Sequence, residues 1–157
     1  MRRSTTFAVA IVALALVITG WILIPNAKAD EALGCGLQSL RGKYGSATSG
    51  LFNSSNDPNA ITIPTFIPFA EVALFMFDGK GNLAGQVQPD FGGQIPPLGS
   101  ATGTYAVDRS ACTGTMTINA STGITFHRSF VMVSGGSQID FVSTDPGLVI
   151  AGSMHRQ

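Results

Sequence analysis

Glu71 is the acid in this sequence whose neighbours give it the most chemical interest. It lies in Pro68-Phe69-Ala70-Glu71-Val72-Ala73-Leu74-Phe75-Met76-Phe77. Strand alternation would put it on one face with Ala73, Phe75 and Phe77. A carboxylate on an apolar inner face is what a general base or a ligand anchor needs. A rim or outer position is the simpler expectation for a glutamate near a strand end. Arg128 shares a face with Phe126 and Phe130, so it is either an interior charge or an outer residue at a bend. A Glu71–Arg128 pair inside the fold, walled by Phe75 and Phe130, is the sharpest ligand-binding set the residues suggest. Glu71 is the one catalytic candidate.

The remaining reactive residues say less. His127 falls on a strand face with Thr125, Ser129 and Val131, and His155 lies just before Arg156. Both read as solvated strand histidines. Asp140 sits opposite Ile139 and Phe141 and also reads as solvated. Asp78 and Asp145 adjoin glycines and read as turn formers. Asp78-Gly79-Lys80-Gly81-Asn82 offers too few oxygens, and a lysine, for a calcium loop. Neither cysteine has another cysteine or a histidine close by in sequence, so no metal site is expected. No P-loop, nucleophile elbow or H-E-x-x-H is present, and no cofactor is expected. Asn53-Ser54-Ser55 and Asn119-Ala120-Ser121 match glycosylation sequons, which matter only in a glycosylating export pathway.

The elements that must position these residues are strands. After Gly42 nearly every segment alternates or ends in Gly, Asn, Asp, Ser or Pro. Strands are expected at residues 42–50, 69–77, 83–88, 101–107, 112–119, 124–133, 138–143 and 148–156. Residues 61–68 read as an edge or irregular crossing, because Pro64 and Pro68 interrupt them. Residues 89–100 read as a long loop. Residues 30–41 could form one short helical turn, with Leu33, Leu37 and Leu40 in phase. Eight consecutive strands with short connections predict an all-β fold, an antiparallel up-and-down barrel, closed by pairing the last strand with residues 42–50. A two-sheet β-sandwich is the alternative, but Greek-key crossings need longer connections.

The first 29 residues carry an address. Arg2 and Arg3 precede an apolar run over residues 7–24, followed by Pro25 and Ala27-Lys28-Ala29. That is the pattern of a cleaved secretory signal helix. The domains expected are therefore a signal peptide at 1–29 and one barrel domain at 30–157. If uncleaved, residues 7–24 would anchor the domain to a membrane. A lipoprotein site at Cys35 is disfavoured by Asp30 and Glu31. Arg2, Arg3 and Lys28 lie in the leader, which leaves six basic side chains against nine acidic, about −3 in all. That balance disfavours nucleic acid and anionic lipid as partners. In an exported chain Cys35 and Cys112 are most simply a disulfide, closing a loop of 77 residues.

The segment from Cys35 to Gly45 (Cys-Gly-Leu-Gln-Ser-Leu-Arg-Gly-Lys-Tyr-Gly) resembles the opening of a group of small exported bacterial β proteins without an assigned function. The likeness continues through Phe77-Asp78-Gly79-Lys80-Gly81-Asn82, Gly103-Thr104-Tyr105, Cys112-Thr113-Gly114-Thr115 and Thr144-Asp145-Pro146-Gly147 to Arg156-Gln157. The resemblance implies export and a β fold and supplies no catalytic residues. The strand plan is also similar, as architecture, to lipocalin-like and allene-oxide-cyclase-like barrels. The function expected is a secreted or periplasmic, non-enzymatic barrel that binds a small apolar ligand or acts at the cell envelope. A cofactor-free isomerase or cyclase using Glu71, and a structural or protein-interaction module, are the alternatives.

Overall fold

The computed structural model describes residues 34–53 and 65–157. The signal segment and residues 61–64 of the expected crossing lie outside the described residues. The chain forms a closed barrel of eight antiparallel strands in sequential order. They are β1 (Gly42–Asn53), β2 (Phe66–Phe77), β3 (Asn82–Phe91), β4 (Gly99–Asp108), β5 (Thr113–Ala120), β6 (Thr125–Val133), β7 (Gln138–Ser143) and β8 (Leu148–Arg156). Closure is the expected one: β1 pairs with β8 from Tyr44↔Arg156 to Phe52↔Leu148. A sandwich is excluded by this topology.

Alternation decides which residues fill the barrel. Tyr44, Phe75, Phe77, Leu83, Tyr105, Met116, Ile118, Phe130, Ile139, Phe141 and Met154 are all buried, each at a period-two position of its strand. Eight strands leave an interior about wide enough for side chains to fill or for one small ligand.

Four strands, β1 to β4, run longer than their sequence predicts, and two of them, β2 and β3, contain proline. β2 pairs with β3 only from Phe69 onward, so Pro68 has a ladder partner on one side alone, Leu51. The Pro68 carbonyl accepts from the Gly92 N–H at 2.8 Å. β3 pairs with β4 only as far as Val87↔Gly99, so Pro89 faces Glu71 of β2 and no third strand. Proline is tolerated at both places because no neighbour needs its missing N–H. The loop expected over residues 89–100 therefore shrinks to the stretch between Phe91 and Gly99. The hairpin expected at residues 134–137 is a 3-10 turn, Ser134–Gly136.

One end is capped by the N-terminal segment. A 3-10 turn, Leu37–Leu40, replaces the expected helical turn and buries Leu40 completely. The Cys35–Cys112 disulfide ties this segment to the start of β5, with Cα atoms 5.1 Å apart. Tyr44 donates to the Gly136 carbonyl and stacks edge-on against Phe77. Arg156 donates to the Tyr44 hydroxyl through Nη2 at 2.7 Å and to the Ser39 carbonyl. The opposite end carries a cluster of four aromatic rings, Phe52, Phe69, Phe91 and Phe126.

Candidate functional site

Glu71 and Arg128 meet inside the barrel. Their side chains are 3% and 1% exposed, and Arg128 Nη2 donates to Glu71 Oε1 at 3.0 Å. The rim or outer position expected of Glu71 is thus replaced by an interior one. The reason is register: Glu71 lies opposite Thr48 and Pro89, and two residues from the inward Phe69. Arg128 lies opposite Met116 and Ser143, between the inward Phe126 and Phe130. Each charge therefore sits one inward step below the aromatic end.

The guanidinium is only part-satisfied. Nε and Nη1 of Arg128 are buried and have no hydrogen-bond acceptor among the described residues. The guanidinium lies over two aromatic rings, with Cζ 4.5 Å from the Phe141 centroid and 5.7 Å from that of Phe126. The other buried polar side chains described are Ser46 and Thr48, whose hydroxyls lie 3.5 Å apart. Thr48 faces Glu71 across the β1–β2 ladder. One polar layer thus crosses an otherwise apolar interior. Phe75 and Phe130 are both buried in the core, and Phe75 shows no surface at all.

Other sequence candidates fall elsewhere. His127 is on the outside, 54% exposed, with Nδ1 2.6 Å from Asp145 Oδ1. Its backbone N–H donates to Asp145 Oδ2 at 2.7 Å, so Asp145 ties the β7–β8 turn to β6 as well as forming it. His155 is exposed beside Ser153 and plays no part near Glu71. Asp140 is half-buried, not fully solvated, and accepts from Gln138 Nε2 at 2.8 Å. Asp78 accepts from the Lys80 and Asn82 N–H groups and from the Asn82 amide, which together hold its carboxyl down at about 2.

One feature escaped the sequence reading. A groove of about 980 Å³ crosses the outer wall of β4 to β8. Its floor follows a row of small outward residues in register, Ala106, Thr115, Ser129, Val142 and Ala151. Gly114 and Gly152 also line it, with the edges of Phe130 and Phe141 behind them. The signal existed in the sequence as small side chains, but the row forms only once five strands are in register.

No protein-family model and no curated protein sequence matches the chain. Among solved structures it is similar to a redesigned β-barrel, at 16% identity over 78% of this chain and 96% of that one, with a TM-score of 0.46. A de novo designed fluorescence-activating β-barrel shares 14% identity over 77% and 96%, with a TM-score of 0.48. Rv2717c from M. tuberculosis shares 17% identity over 77% and 94%, with a TM-score of 0.39.

Proposed function

We propose that this chain is an exported, non-enzymatic barrel that binds a small, mostly apolar molecule at the Glu71–Arg128 layer. The observation that carries the reading is the pair of Arg128 N–H groups, Nε and Nη1, buried without an acceptor among the described residues. A barrel built only for stability would lose little or nothing by replacing a buried ion pair with apolar side chains of similar volume. Keeping the pair, with two donors to spare, fits a barrel whose interior receives an oxygen-bearing guest. The aromatic end supplies apolar contact on the way in. The disulfide fits an oxidising compartment, and among the described residues no helix is long and apolar enough to cross a membrane.

The enzyme reading ranks second. It draws on the burial of Glu71, but that carboxylate is already engaged by Arg128. The interaction-module reading draws on the outer groove.

Native mass spectrometry of the protein taken from its own exported fraction tests the proposal. A co-purifying small molecule, lost in Arg128→Met, is the expected result. A bare protein mass, together with no uptake of an apolar fluorescent probe, overturns it.

A further inference from the structure

Resting on that reading, we propose that the polar end of the bound molecule is an uncharged oxygen acceptor, such as a ketone or ester carbonyl, and not a carboxylate. Arg128 and Glu71 are the charged side chains among the buried described residues, and they already neutralise each other. A carboxylate entering this layer would leave one uncompensated negative charge in an apolar enclosure, close to Glu71. Burying an unpaired ion is far more costly than burying a hydrogen-bonded neutral group. A carbonyl oxygen satisfies an orphan donor and leaves the charge balance untouched. Its bond to a charged donor is also stronger than one to a neutral N–H.

The layout of the guanidinium agrees. Nη2 is taken by Glu71, while the rings of Phe141 and Phe126 lie over the guanidinium group. What remains without a partner are the Nε and Nη1 donors, either of which a single carbonyl oxygen can accept from. Phe126 links this layer to Phe69 of the aromatic end, at 6.3 Å between centroids. The Phe126 ring thus borders both the guanidinium and the aromatic end, where the apolar body of the ligand would lie.

The test compares 2-undecanone with undecanoate on the full chain, near neutral pH, by calorimetric titration. The Arg128 Nε–H resonance is followed in parallel by NMR. The expected result is a ketone at least about tenfold tighter than the carboxylate, with the Arg128 resonance shifted. Undecanoate binding equally or more tightly, with that resonance shifted, overturns the head-group assignment and leaves the binding barrel standing. Binding of neither probe, or binding that leaves the resonance unmoved, overturns both. Glu71→Gln keeps an acceptor for Nη2 but removes the negative charge. It should reverse the preference toward undecanoate, and an unchanged preference again overturns the assignment.

Discussion

Arg128 and Glu71 are 57 residues apart in sequence and 3.0 Å apart inside the barrel. Removing one partner leaves the other charge buried and alone. Glu71→Ala should therefore lose about 3–5 kcal/mol of stability, and the double change Glu71→Leu with Arg128→Met much less or nothing. Urea unfolding of the three proteins decides it. Equal losses in the single and double variants would mean the pair is not coupled in the way its geometry implies.

The disulfide should matter for the capped end first. Cys35 and Cys112 close a loop of 77 residues. Chain-entropy arguments put such a link at about 4 kcal/mol. Cys35→Ser with Cys112→Ser should lower the melting temperature sharply. Amide exchange should then speed up in the Leu37–Leu40 turn before it does in β2 or β3.

Tyr44 closes the same end through its hydroxyl, which donates to Gly136 and accepts from Arg156. Tyr44→Phe keeps the ring and its edge-on contact with Phe77 but removes the hydroxyl's bonds, leaving Arg156 to bridge the Ser39 and Gly136 carbonyls alone. A loss of about 1–3 kcal/mol is expected in chemical unfolding, without loss of the barrel's circular dichroism.

Gly114 is required by close packing. A Cβ there would stand 2.2 Å from the Ala106 carbonyl oxygen and 2.3 Å from Phe130 Cζ. Gly114→Ala should cost about 1–3 kcal/mol through displaced backbone and ring. Phe130→Leu in the same chain should recover only part of that, because the backbone contact remains. Full recovery would place the whole strain on the ring.

The turn at Asp78 predicts an acid-sensitive hairpin. Bonds from the Asn82 amide and from the Asn82 and Lys80 N–H groups lower the Asp78 carboxyl from 3.8 to about 2. A folded value below the unfolded one makes the carboxylate form favour folding. That contribution is complete above the unfolded value and fades as pH falls through about 2. Asn82→Ala removes the largest cause. Its melting temperature should fall less steeply than that of the parent between about pH 4 and pH 2.

Some of this molecule could be read directly. The period-two runs around Met116 and Ile118, or Phe126 and Phe130, place their residues inside without reference to any other strand. The residues Asp78-Gly79-Lys80-Gly81-Asn82 specify their own turn, and eight strands with short links leave closure as the way to remove edges. Other features depended on distant partners. Pro68 and Pro89 look like breaks in the sequence and become strand residues only because the neighbouring ladders stop short of them. Asp145 reads as a turn former, and its bonds to His127 require β6 to lie alongside.

The chain alone determined the strand count, their order, the closing pair and the cysteines available to staple them, because alternation and turn chemistry are local properties. Only the tertiary structure decided that Glu71 faces inward to Arg128, that Nε and Nη1 have no acceptor among the described residues, and that five small residues line up into an outer groove. A one-residue slip in register turns every side chain of a strand to the other face. Interior charge pairing and surface shape are therefore set by the register of all the strands together, which no single segment encodes.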